Sequence, residues 1–173
     1  MKVILNTAEK RLCNYIARCR TELSREVIPI NDNLVATNPH NIIEEEGVMG
    51  ELAFCKIMQV YPEEIFDPSV KSAERGTDPG DLNINNICID IKTTKYRNGR
   101  LICRSINKAI NLIILMTGEK GEYTFSGGLW SADMYSEERW GSHQALGGGR
   151  PCYLAEQHEL IQPDELIRQI KEA

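Results

Sequence analysis

Apolar residues recur along this chain at two different periods. Over residues 7–25 the spacing is helical: Leu12, Ile16, Cys19 and Leu23 recur on one side, and Thr7 stands where a cap belongs. Asn38-Pro39 reads as a second helix start, with Asn as cap and Pro in the first turn. That helix is predicted to run to about Val60, before Pro62. It carries Gly47 and Gly50, each costing about 1 kcal/mol against Ala, which marks a close approach by a neighbouring strand or a substrate backbone. Pro163 opens a third helix with Leu166, Ile167 and Ile170 on its apolar face.

Between these helices the period drops to two. Leu82, Ile84, Ile87, Ile89 and Ile91 share one face, and Asp81, Asn83, Cys88, Asp90 and Lys92 the other, around an Asn85-Asn86 turn. In that register Leu82 faces Ile89 and Asp81 faces Asp90. The strand continues to Tyr96, turns at Asn98-Gly99, and Leu101–Cys103 returns as a third strand. Ser105–Ala109 reads as a short helix. Leu112–Met116 reads as a strand buried on both faces, and Glu122–Ser126 as the next strand, broken by Gly127-Gly128. A short helix over Ser131–Tyr135, a glycine-rich loop over 136–150 and a strand at Cys152–Ala155 complete the pattern. Residues 27–30 read as extended, 31–33 and 71–78 as loops, and 65–70 as a short strand or irregular segment. The expected class is α/β in the α+β sense: a central mixed sheet flanked by helices.

With 173 residues, the chain is expected to form one domain over 1–173, with its core over about 38–130. The net charge of −5 gives no global signature of a nucleic-acid binder, so such a function needs a local basic patch. Val3-Ile4-Leu5 is too short for a signal-peptide core, and no run approaches a membrane span. The expectation is a soluble, cytoplasmic protein with no membrane contact. The six cysteines form no CxxC pair, and Cys55, Cys88 and Cys103 lie in apolar runs. They read as reduced thiols packed as small hydrophobes, without a zinc site.

The chemistry concentrates at the hairpin. Two carboxylates opposed across a strand pair repel each other unless one is protonated or a cation lies between them. Lys92 on the same face adds one positive charge, a divalent metal would add two, and oxygen ligands suit magnesium, manganese or calcium. The plainer reading is a solvated hairpin edge. Glu51, flanked by Gly50 and Leu52-Ala53-Phe54, sits at the core boundary of the preceding helix, and Glu44 shares its face.

Pro79-Gly80-Asp81 followed by Asp90-Ile91-Lys92 at the end of an apolar strand resembles the PD-(D/E)xK nuclease superfamily, with Gly80 as an extra residue between Pro and Asp. The resemblance covers about residues 40–130. It implies a restriction-endonuclease-like core and a metal-dependent nuclease cutting DNA to 5′-phosphate and 3′-hydroxyl ends, an endonuclease before an exonuclease. It assigns catalysis to Glu51, Asp81, Asp90 and Lys92. Magnesium would be held by Glu51, Asp81, Asp90 and the Ile91 carbonyl, manganese would substitute, and calcium would bind without turnover. No organic cofactor is implied. Many members are dimers, so a homodimer is one assembly the resemblance allows. Size alone suggests a phage or mobile-element enzyme.

Lys92, Lys95, Arg97, Arg100, Arg104 and Lys108 fall within 17 residues without an acid, and Tyr96 sits among them. Lys95, Tyr96, Arg97, Arg100 and Arg104 are the candidate contacts to a nucleic-acid backbone; the alternative is an exposed basic hairpin. Lys10, Arg11, Arg18 and Arg20 give the first helix a basic outer face, solvated or in contact with phosphate. Trp140 either pins its loop or stacks on a base; His143 reads as a surface residue. Two other functions stay open: a catalytically silent nucleic-acid-binding module of the same fold, and a protein unrelated to nucleic acids that carries the motif by chance.

Overall fold

The computed structural model describes residues 1–27, 40–66, 80–142 and 151–173. The calls at residues 28–33, Asn38-Pro39, 67–79 (including Lys71, Arg75 and Asp78), His143 and Gly147–Arg150 lie outside the described residues.

The elements are β1 (Lys2–Ile4), α1 (Thr7–Val27), α2 (His40–Met58), α3 (Glu63–Phe66), β2 (Leu82–Ile84), β3 (Ile87–Thr94) and β4 (Leu101–Cys103). They continue with β5 (Leu112–Glu119), β6 (Glu122–Trp130), α4 (Ser131–Met134), β7 (Trp140–Gly141), β8 (Cys152–Ala155) and α5 (Pro163–Glu172). A five-stranded sheet has the order β1-β6-β5-β3-β2. Only the β3–β5 pair in it is parallel, so the sheet is mixed and the fold is α+β. A second, three-stranded sheet has the order β4-β8-β7.

Alternation along β3 separates two cores. Ile87, Ile89 and Ile91 pack with residues of α1, α2 and α5. Cys88 and, from β5, Ile113 and Leu115 pack instead with Leu101, Cys103 and Ala155 of the second sheet. The central sheet therefore lies between a helical layer and a small sheet. Every second residue of β3 looks toward one or the other.

The hairpin turn is as expected: Asn85 and Asn86 both have positive φ, and Leu82 pairs with Ile89. Gly50 is the close approach that its place in a helix suggested. A Cβ there would lie 2.1 Å from the Thr93 Oγ1 of β3, whereas Gly47 faces open space.

Several expectations are corrected. The buried face of α1 is Cys13, Ile16, Ala17 and Arg20, while Leu12 is exposed; the face is turned by about one residue. Arg20 is accordingly not on a basic outer surface. The cap of α1 is Asn6, whose Oδ1 accepts from the Glu9 N–H as Glu9 Oε2 accepts from the Asn6 N–H. The returning strand β4 pairs with β8 rather than β3, so the connection from β3 to the parallel β5 passes through the second sheet. Ser105–Ala109 forms turns and no helix. Ile65 and Phe66 belong to α3. Gly127-Gly128 does not end β6: a bulge there lets the strand run on to Trp130, and Gly127 sits against the Ile161 carbonyl. Short β1, which sequence periodicity did not mark, closes the edge beside β6.

Candidate metal and nucleic-acid site

Asp81 immediately precedes β2, and its geometry follows from where that strand begins. Its N–H donates to the Ile89 carbonyl at 2.8 Å, and its Oδ2 accepts from the Ile91 N–H at 2.6 Å. The carboxylate thus lies along the backbone edge of β3 and is buried, at 6 % exposure. It is not simply set across from Asp90. Register pairing with β2 stops at Ile89, so Asp90–Thr94 has no β2 partner among the described residues. In an extended strand the N–H and C=O of one residue point to the same edge, so the Ile91 carbonyl points to the edge that Asp81 occupies.

On the second-sheet side of β3, Lys92 Nζ lies 2.8 Å from Asp90 Oδ1 and 2.6 Å from Oδ2. Partial burial acts against the ammonium, but Asp90, with Asp81 behind it, outweighs this and holds the Lys92 pKa above its ordinary value. Lys92 is therefore a fixed cation. The pair lines a cleft of about 380 Å³ with Ile102, Cys103, Arg104, Ser105, Asn107 and Tyr135. Burial pushes the Cys103 thiol up to about 11 against the pull of Lys92, so the cleft holds a protonated thiol.

On the helical side stands a second pair. Arg20 and Glu51 are 3 % and 5 % exposed. Arg20 Nη1 donates to Glu51 Oε1 at 3.2 Å and Oε2 at 3.0 Å; Nη2 donates to Oε2 at 3.0 Å and to the Ile65 carbonyl at 3.2 Å. Glu44 approaches the same guanidinium at 3.8 Å. Burial acts against the Arg20 charge, but Glu51, then Glu44 and Asp81, more than offset it and raise its pKa. Asp81 thus sits within the field of both cations, between the two faces of β3.

Three of the four predicted catalytic residues therefore fall in two ion pairs, Glu51 with Arg20 and Asp90 with Lys92, and Asp81 lies at the edge between them. The expected single cluster of Glu51, Asp81 and Asp90 is not assembled: among the described residues no three His, Cys, Asp or Glu side chains are grouped to hold a metal ion. The physical reason is Arg20, which engages both Glu51 oxygens. The donor chemistry still suits a hard divalent cation. Asp81, Asp90 and the Ile91 carbonyl are all oxygen donors. Glu44, Glu51 and Asp81 lie in the field of Arg20, and Asp90 and Asp81 in that of Lys92.

The basic cluster divides three ways. Arg104 lines the Asp90–Lys92 cleft. Tyr96, which is exposed, and Arg100 line a neighbouring cleft of about 540 Å³ that shares Lys92 and Ile102 with the first. Arg100 is also tied to Glu156 at 2.6 Å. Lys95 and Arg97 line a third cleft with Lys2 and Ser126, reached past Asn98. Lys95 Nζ stands 5.4 Å from the Tyr96 ring centroid. Trp140 packs on Tyr153, ring centroids 4.7 Å apart, as a pin would.

Comparison with known protein families, curated proteins and solved structures finds no match. The assignment therefore rests on the site itself. Sequence reasoning missed Arg20 as part of it, although its i+3/i+4 spacing from Ile16 and Ala17 carried the signal. Tyr135 and Asn107 enter the cleft only through tertiary contacts, which no local pattern marks. None of the six cysteines is in a disulfide, and Cys13, Cys55, Cys103 and Cys152 are buried. No described helix is long and apolar enough to cross a membrane.

Proposed function

We propose that this chain is a metal-dependent nuclease of the PD-(D/E)xK type that hydrolyses DNA phosphodiester bonds. The observation that carries the reading is one short segment of β3, Asp90–Lys92, which holds Asp81 on its backbone edge where β2 begins and presents the Asp90–Lys92 ion pair to a cleft bordered by Arg104. Asp81, Asp90 and the Ile91 carbonyl would hold magnesium, which supplies a lowered water pKa and charge stabilisation at phosphorus when bound. Lys92 keeps its proton and offers it, as a charge, to the non-bridging oxygens of the scissile phosphate. It serves as an electrostatic group rather than a base. Asp90 fixes the Lys92 head, and Asp81 anchors the strand edge through the Ile91 N–H. Arg104, Tyr96, Lys95 and Arg97 follow the chain of clefts away from Lys92 and suit a phosphate backbone. The products would carry 5′-phosphate and 3′-hydroxyl ends.

The second reading, a silent DNA-binding module, is favoured by one observation: Arg20 holds Glu51. One experiment separates the two. Plasmid, linear duplex, single-stranded, flap and four-way-junction DNA are incubated with the protein and magnesium, manganese, calcium or EDTA. The nuclease reading predicts cutting with magnesium and manganese that Asp90→Ala and EDTA abolish. Binding without cutting under every metal would select the silent module, and neither would reject both.

A further inference from the structure

Tyr135 stands in the wall of the Asp90–Lys92 cleft, and the reaction proposed above gives it no role. Its backbone is fixed to the central sheet. The Ser131 N–H donates to the Asn111 carbonyl at 2.8 Å, and the Asn111 side chain accepts from the Cys88 N–H of β3 at 2.8 Å. The Tyr135 N–H closes α4 by donating to the Ser131 carbonyl at 2.9 Å, and Met134 beside it is fully buried. The ring is held edge-on by Tyr153, with centroids 5.2 Å apart, and Tyr153 is itself backed by Trp140. Burial pushes the Tyr135 hydroxyl up; Cys103 and Asp90 add to this, and the Asn107 backbone and Lys92 oppose it. All four of these residues line the same cleft, so the hydroxyl lies within the field of the Asp90–Lys92 pair. It meets the Cys103 thiol, a weak acceptor that leaves the O–H open to a stronger one. Lys92, Arg104 and Tyr135 all bring donors to the cleft, and its lining carboxylate, Asp90, already holds the Lys92 head. Such a wall suits an oxyanion.

We propose that the Tyr135 hydroxyl donates a hydrogen bond to a non-bridging oxygen of the phosphodiester seated beside Lys92, as a further catalytic residue. This inference rests on the nuclease reading above and adds a neutral donor to it. A phenol keeps its proton at neutral pH, so the donor is always present. Because its ring and backbone are already fixed, no reorganisation is needed as charge develops on the phosphoryl oxygens. The contact therefore strengthens toward the transition state and acts on turnover more than on binding.

The test uses Tyr135→Phe, which keeps the ring and its contact with Tyr153 and removes only the hydroxyl. Parent and variant are compared by thermal melt and by magnesium-dependent cleavage kinetics on a DNA that the parent cuts. The expected result is a coincident melt, an unchanged KM and a kcat lowered about ten- to a hundredfold, the range for a hydrogen bond to a charged group. The same pair is then run on DNA carrying sulfur in place of one non-bridging oxygen at the mapped cleavage position, one diastereomer at a time. In one diastereomer the variant should lose far less relative to the parent, because the contacted oxygen is already gone. An equal loss on both diastereomers and on the all-oxygen DNA would place the hydroxyl's action within the protein and overturn the proposal. Unchanged kcat, or a loss confined to KM, also overturns it and leaves the nuclease reading standing. Should Tyr135→Phe melt well below the parent, the sulfur comparison still decides, since a structural defect slows both diastereomers alike. A parent that cuts none of the DNAs removes the nuclease reading itself.

Discussion

The two faces of β3 carry two ion pairs of the same chemical kind and opposite use. On the helical face Arg20 and Glu51 are sealed, joined by three hydrogen bonds, and tied to the Ile65 carbonyl. On the other face Asp90 and Lys92 meet at similar distances, but the Lys92 side chain is 42 % exposed and opens on a cleft. Desolvation separates them. A sealed pair is costly to break from one end and offers little to a ligand, while a half-solvated pair contributes little stability and is open to one. A motif read along one strand would not distinguish them, because the distinction is made by what the neighbouring layer covers.

The largest expected effect follows from the sealed pair. Arg20→Met should lower stability by about 3–5 kcal/mol, because the buried Glu51 loses the guanidinium that engages both its oxygens, and Arg20→Met with Glu51→Met should recover most of it. Chemical denaturation of the three proteins checks this. Equal losses in single and double variants would mean that the pair contributes through packing rather than charge.

Next is the contact that sets the helical layer on β3. Gly50→Ala gains up to about 1 kcal/mol of helix propensity. It also drives a methyl group to within 2.1 Å of Thr93 Oγ1, where overpacking costs about 1–3 kcal/mol. The net effect should be destabilising, and Thr93→Ala should rescue part of it in a thermal melt. Gly47→Ala, facing open space, should be neutral to stabilising.

A smaller effect comes from the thiols behind each pair. Burial pushes Cys13 to about 12 and Cys103 to about 11 from an ordinary 9.0. Both pKa values are raised in the fold, so their contribution is complete below about pH 9. It is lost as pH rises toward 11 and 12, because the unfolded thiols ionise first. Melting temperature should fall across that window, and Cys103→Ala should flatten the decline.

These expectations also show which parts of the molecule were legible in sequence. The hairpin was readable because its turn chemistry, period and register are local: two asparagines at positive φ fix which residues face which. The continuous apolar run of β5 and the amphipathic α5 were readable for the same reason. The second sheet was not. Leu101–Cys103 after Asn98-Gly99 has the local form of a hairpin return, and only Cys152–Ala155, about fifty residues on, decides that β4 leaves the central sheet. Arg20 was misplaced because a basic residue is taken as solvated unless its partner is known, and Glu51 lies 31 residues away. Asp81 and Asp90 could be named from the motif, but not the turning of Asp81 onto the backbone of β3, which depends on where β2 begins.

On the proposed nuclease reading the half-solvated pair performs chemistry while the sealed one holds the fold. Lys92→Ala, followed by thermal melt and by magnesium-dependent cleavage of plasmid DNA on the same preparation, tests it most directly. The expected result is a melt within about 1 kcal/mol of the parent and complete loss of cutting. Retained cutting, or a collapse of stability comparable to that of Arg20→Met, would contradict it.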